Sequence, residues 1–257
     1  MKKLLFFIFL LHFHFSGAQI LRVGPKVGIQ ASRAYYDNKD YYDVMTSQYD
    51  LGFHAGLVSN VKVSDLISLE AEILFNRVTK RLSGVGSDNF NQEKYNMLSV
   101  PLLLRVSKKL GYKEFYFNAG PNISYWLGGK GVLRTSELLE ANLQELKYDI
   151  NFYEINDEVA NDLYVFSLTE PNRVLLGIDV GVGALLPIGR NHLMFDLRYS
   201  FGHTNMAKPD TQYIEISTFE SDMNYSNHVI SLSCAYLIDF DLFTMRTKGK
   251  SVGKKKN

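Results

Sequence analysis

From Tyr95 to Trp126 the chain alternates with a period of two, in two runs separated by a charged turn. In the first run Leu98, Val100, Leu102, Leu104 and Val106 share one face, and Met97, Ser99, Pro101, Leu103 and Arg105 share the other. In the second, Phe115, Phe117, Ala119, Pro121 and Ile123 alternate with Tyr116, Asn118, Gly120, Asn122 and Ser124. A continuous apolar face backed by amides, hydroxyls and glycine suits a strand between lipid and a polar barrel interior. A bilayer core about 30 Å thick takes about 9–11 tilted residues per strand, which these runs match.

Six further runs read the same way, over about 20–31, 49–60, 67–78, 172–186, 192–204 and 228–240. Their connections alternate long, short, long, short, long, short, long. An up-and-down meander across a membrane does this, with short turns in the periplasm and long loops outside. The expected fold is all-β: an eight-stranded antiparallel up-and-down transmembrane β-barrel with long extracellular loops. A soluble barrel of the lipocalin kind has its apolar face inside, and the inward set here is too charged for that. Pro25, Pro101 and Pro121 fall inside predicted strands, where a missing N–H interrupts the ladder, so bulges or local strand ends are expected there. Tyr35, Tyr36, Tyr41 and Tyr42, in the first long loop, are expected in a membrane-interface belt.

Composition adds constraints. The 257 residues include 16 Tyr and 17 Phe but one Trp and one Cys, and the net charge of +1 gives no case for a nucleic-acid partner. Lys2 and Lys3 precede an apolar run from Leu4 to Phe15 and then Ser16-Gly17-Ala18, the order of a secretory signal. Residues 1–18 are therefore expected to be cleaved, with the barrel occupying 19–243. Cys234 then has no internal disulfide partner and reads as a small packing residue of its strand.

Several short motifs resemble, in order and spacing, the PorT-like outer-membrane β-barrel proteins of Bacteroidota. They are Gly24-Pro25-Lys26-Val27-Gly28, Ser68-Leu69-Glu70-Ala71-Glu72, Val100-Pro101-Leu102-Leu103-Leu104 and Ala119-Gly120-Pro121. The stretch from Gly177 to Gly183 and the Arg198-Tyr199 pair with Asn205 extend the resemblance over nearly all of the chain after the signal. It implies an outer-membrane location and, loosely, a link to protein secretion, but no single activity. The long third outer loop and the basic C-terminal tail depart from a minimal barrel of that family.

Under this registry the inward face collects Arg22, Lys26, Arg105 and Arg198 with Glu70, Glu72, Asp179 and Asp196. An eight-stranded interior is about wide enough for its own side chains, so a packed polar plug is expected. A small-ion path would need an unbalanced, hydrated lumen. No catalytic residue, cofactor or metal site is expected. Glu70 and Glu72 share a face without a cleft, and His54, His192, His203 and His228 lack zinc-type spacing. Ser200 with His203 is only a faint trace of the serine–histidine pair that a lipid-modifying enzyme uses.

The third outer loop, about 127–171, carries nine acidic and three basic residues from Gly128 to Pro171, together with many apolar ones. Leu139, Leu143 and Leu146 predict a short helix starting after Thr135 or Ser136. The loop either folds over the barrel mouth or offers an acidic docking surface through Glu137, Glu140, Glu145, Phe152, Tyr153 and Tyr164. The tail, 244–257, carries Arg246, Lys248, Lys250, Lys254, Lys255 and Lys256 without an acid. With an even strand number both termini are expected in the periplasm, where the tail could hold anionic partners. Outer-membrane lipids and other envelope proteins are the expected partners. The expected function is a non-enzymatic scaffold or accessory subunit of an outer-membrane assembly. A narrow channel or surface ligand receptor is the first alternative, and a lipid-modifying enzyme the second.

Overall fold

A strand with one face in lipid has no water to satisfy its backbone, so every N–H and C=O must find a neighbouring strand. The computed structural model describes residues 20–140, 144–152, 165–169, 171–208, 212–213 and 224–241. The strands are β1 (Ile20–Tyr36), β2 (Met45–Gln48), β3 (Asp50–Lys62), β4 (Ile67–Gly84), β5 (Phe90–Leu110) and β6 (Lys113–Arg134). They continue with β7 (Leu146–Asn151), β8 (Val165–Thr169), β9 (Val174–Ile188), β10 (Asn191–Gly202), β11 (Gln212–Tyr213) and β12 (Tyr225–Asp241). Eight of them close a ring in the order β1, β3, β4, β5, β6, β9, β10, β12, each antiparallel to its neighbours. Closure is by β12 on β1, with Ile20 opposite Asp241 and Tyr36 opposite Tyr225. These eight are the strands that the alternation predicts.

The ring turns its apolar face outward. Leu102 is 47% exposed, and Phe117, Ile178, Leu197 and Leu232 are similarly open, while the residues between them are buried or half-buried. Around a closed ring such a band is a lipid-facing belt. No helix among the described residues is long and apolar enough to cross a membrane, which says nothing about strands. The short turns after β3, β5 and β9 lie at the same rim as Ile20 and Asp241.

The structure departs from the sequence reading mainly beyond the other rim. There β1, β4, β5 and β6 run on to Tyr36, Gly84, Phe90 and Arg134, so the expected loop between β4 and β5 shrinks to residues 85–89. The third loop starts at residue 135 rather than 127. Alternation continues through these extensions, but their outward positions turn polar, which reads as loop. On them β2 pairs with β4 and β7 with β6, β8 runs parallel to β7, and β11 pairs with β8. The expected helix is only Ser136–Glu140; Leu146 opens β7, and Leu143 lies outside the described residues. Of the four tyrosines expected in the interface belt, Tyr35 faces outward, whereas Tyr36 is buried and Tyr41 and Tyr42 pack against the same interior cluster.

The prolines are accommodated without bulges. The β1–β12 ladder skips from Val23–Ile238 to Lys26–Ala235, and the β5–β6 ladder from Pro101–Asn122 to Leu104–Ala119, each keeping its register. Gly24 and Gly120 precede Pro25 and Pro121 at these gaps. A Cβ at Gly24 would stand 1.7 Å from the Tyr236 carbonyl oxygen, and one at Gly120 2.0 Å from that of Leu102. Only glycine allows the strands to close up where the proline withholds its donor. The one register shift in β5–β6 falls between Asn96 and Met97, away from any proline.

Leu102→Arg is expected to cost about 2–4 kcal/mol of membrane-folded stability, whereas Leu110→Arg, past the belt on the same strand, should cost no more than about 1 kcal/mol. Urea titration of the folded fraction in lipid vesicles measures both, and equal costs would overturn the placement of the belt.

Candidate functional site

The lumen is organised by alternation: every second residue of eight tilted strands must fit inside one narrow tube. Arg198 on β10 reaches across to Glu72 on β4 with both arms, Nη1–Oε2 and Nη2–Oε1 each at 2.9 Å. Lys26 on β1 approaches the same carboxylate at 2.8 Å and Asp196 at 3.4 Å. Arg198 also lies 3.1 Å from Asp196, 3.5 Å from Glu70 and 3.6 Å from Asp179. Arg105 pairs with Glu70 and stacks its guanidinium over the Tyr116 ring at 3.7 Å. Seven of the eight predicted lumen charges therefore form one connected, buried network. Arg22, the eighth, stands apart toward the short-turn rim and meets Glu114 at 3.7 Å and Asp239 at 3.5 Å.

Three cations face four carboxylates in the connected network, and neutral donors supply further contacts. Tyr116 Oη and Asn118 Nδ2 donate to Asp196 at 2.9 and 3.1 Å, and Asn122 Nδ2 donates to Asp179 at 3.1 Å. Sequence reasoning did not single out Tyr116, Asn118, Asn122, Glu114 or Asp239 as site residues. Tyr116, Asn118 and Asn122 already lie on the polar face that the alternation assigns, and carrying it to the strand ends adds Glu114 and Asp239. The plug is also less polar than expected, because Val58, Leu185, Met194 and Leu237 form an apolar layer inside the ring.

A second buried group lies beyond the belt, at the long-loop end. Tyr36, Leu82, Tyr95, Trp126, Tyr148 and Tyr225 belong to an interior cluster that fills this end, with Leu146 and Ile150 of β7 packed into it. Lys80 pairs with Glu93, which also accepts hydrogen bonds from Tyr95 and, at 2.6 Å, from Tyr148. Burial alone would push the Glu93 carboxyl up, but adjacent Lys80 and these hydroxyls outweigh it and hold the group below its ordinary value. Its surroundings are outside the membrane-spanning part of β5, since the outward side chains there are Gln92, Lys94 and Asn96.

The predicted loop residues are distributed unevenly. Phe152 is part of the cap, edge-on to Trp126 at 4.8 Å and under the Arg173 guanidinium at 4.3 Å, so it is not a free docking residue. Glu145 pairs with Arg134 at 2.7 Å near the surface. Glu137 and Glu140 belong to the helical turn Ser136–Glu140, but their side chains lie outside the described residues. Tyr153, Tyr164 and the tail cations Arg246, Lys248, Lys250, Lys254, Lys255 and Lys256 also lie outside the described residues.

Between network and cap is a cavity of about 90 Å³, lined in part by Lys26, His54, Asn122, Asp179, Arg198 and Ser233. At about 30 Å³ per water, this volume suits a few waters rather than an acyl chain. His54 Nε2 and Ser233 Oγ are 2.9 Å apart, with Gln30 Oε1 3.3 Å from Nδ1, an order that mimics nucleophile, base and orienting group. In so small a space it serves to satisfy buried polar atoms. Ser200 hydrogen-bonds Asp179 in the lumen whereas His203 is exposed just past the end of β10, so the two are not brought together. Among the described residues no group of three or more His, Cys, Asp or Glu is arranged to hold a metal ion.

Glu72→Gln, which takes from both Lys26 and Arg198 the buried carboxylate they contact most closely, is expected to cost about 3–5 kcal/mol, with the Lys26→Met/Glu72→Met double variant costing less than the two single changes summed. Denaturant titration of heat-modifiable, folded protein reads both. For Glu93 the sign follows from its depressed folded value: it adds stability above the ordinary carboxylate value of 4.5 that is lost as pH falls below it. Between about pH 6 and about pH 3 the wild type should lose more stability than Glu93→Gln; equal losses would show that the cap carries no such linkage.

Among curated proteins, none matches this chain in sequence. Solved structures with a similar trace include the outer membrane protein OprG of Pseudomonas aeruginosa, at 11% identity over 88% of this chain and 97% of that one, with a TM-score of 0.49. Others are Ail, the attachment invasion locus protein of Yersinia pestis (12%, 86% and 99%, TM-score 0.37), and Neisserial surface protein A (9%, 86% and 97%, TM-score 0.39). A family model described as outer membrane protein beta-barrel domain matches residues 17–208, most of the chain. A ring of eight antiparallel strands with an apolar outside and a paired polar inside is what such a domain requires, and the chain belongs to the outer membrane protein β-barrel domain family.

Proposed function

We propose that this outer-membrane barrel is a non-enzymatic scaffold or accessory subunit of an outer-membrane assembly, with a link to protein secretion of the kind its PorT-like motifs imply. The observation that carries this reading is the interior filled from one end toward the other: ion pairs spanning the lumen from β1 and β10 to β4, then the aromatic cap. A barrel filled in this way transmits little, so its working surface is what it presents at its rims. Supporting this, β2, β7, β8 and β11 extend the sheet past the belt into a platform. Leu139 stands exposed on the helical turn, and Glu145 is exposed just before β7. In this reading the long-loop end faces outward, both termini are periplasmic, and the basic tail serves anionic envelope partners.

Extraction of the native membrane in mild detergent should release the protein in a stoichiometric complex with another envelope protein, and Leu139→Ser with Glu145→Lys should dissociate it while leaving the barrel heat-modifiable. Purified protein in planar bilayers should show no steady ionic conductance. Migration as a lone monomer, or a reproducible conductance, would overturn the scaffold reading and favour the narrow channel.

A further inference from the structure

The lipid-facing belt ends at a sharp boundary on β4 and β5. Its last apolar pair is Phe75 opposite Leu98; beyond it come Arg77 opposite Asn96, Thr79 opposite Lys94 and Arg81 opposite Gln92. Three cations thus occupy three successive rows on adjacent strands, where diagonal neighbours are about 7–8 Å apart. The Arg77 guanidinium lies over the Phe53 ring at 5.5 Å while its Nε donates to Asn96 Oδ1 at 3.2 Å. Arg81 lies over Phe90 at 5.1 Å, and its buried Nε has no hydrogen-bond partner among the described residues. Among the described residues none of the three forms a salt bridge. Asp50, the acid that meets this wall, accepts a hydrogen bond from Gln92.

We propose that Arg77, Arg81 and Lys94 form a binding site for the phosphate group of an anionic membrane lipid at the long-loop rim. The first rows beyond the hydrocarbon meet the headgroup layer, where phosphates lie. Rings under the two guanidinium groups fix their planes and leave their outer edges for a forked contact with phosphate oxygens. Lys94, exposed between them, adds a point charge. Arg173, by contrast, is held by the Trp126 carbonyl and between the Tyr125 and Phe152 rings, so its guanidinium is already committed. The site rests on the membrane placement of the belt, not on any partner protein.

The test is lipid selectivity of the full-length barrel folded into phosphatidylcholine vesicles doped with spin-labelled phosphatidic acid. The motionally restricted fraction should show a preference of at least about five-fold for phosphatidic acid over labelled phosphatidylcholine, roughly the effect of one cation near an anionic surface. Added salt should weaken it. Arg77→Gln/Arg81→Gln/Lys94→Gln should lose the larger share of that preference, while Lys108→Gln/Lys109→Gln/Lys113→Gln at the other rim should keep it. Absence of a preference in the wild type, an unchanged triple variant, or an equal loss in the short-turn variant would each overturn the site. If the triple variant does not fold, Lys94→Gln alone should lower the preference at least about two-fold, and an unchanged value would overturn it equally.

Discussion

Arg198 and Glu72 face each other across a tube that has no room for bulk water, and the rest of the interior is arranged around satisfying that contact. A charge taken into a low-dielectric interior is costly unless it is paired and hydrogen-bonded. Arg198 therefore draws in Asp196, Glu70 and Asp179, Glu72 draws in Lys26, and Arg105 joins through Glu70. Because the partners come from β1, β4, β5, β9 and β10, the network ties opposite walls together as well as filling the lumen. The glycine-rich inward face of β9 follows from the same geometry. A Cβ at Gly181 would stand 2.5 Å from Asn118 Oδ1, and one at Gly183 2.2 Å from the Tyr116 hydroxyl, so β9 gives up side chains to make room for the network.

The two ends of the tube are closed by different physics. Toward the short turns, Arg22, Glu114 and Asp239 end the lumen with partly hydrated charges. Toward the long loops, the strands outrun the belt, and an open tube of that length would expose apolar inward residues such as Leu82 and Leu133 to water. Tyr36, Trp126 and the chain that returns in β7 cover them, and burial of these large side chains stabilises the cap. What looks like a surface loop is therefore partly core. Truncating it would disturb the barrel mouth as well as any partner surface.

Much of the barrel was legible in the sequence because a two-residue period leaves little freedom once one face must meet lipid. The eight strands, the short turns, the outward belt and the inward identities of Lys26, Glu70, Glu72, Arg105, Asp179, Asp196 and Arg198 follow from alternation alone. Tertiary structure decided which charges meet, because register and tilt bring together residues such as Lys26 and Asp196 that are 170 positions apart. It also decided the fate of Phe152 and Tyr36, whose sequence surroundings look exposed but whose neighbours in space are Trp126 and Tyr225. The extensions past the belt stayed hidden for a physical reason: their outward face meets water and turns polar, so the pattern that marks a lipid-facing strand stops before the strand does.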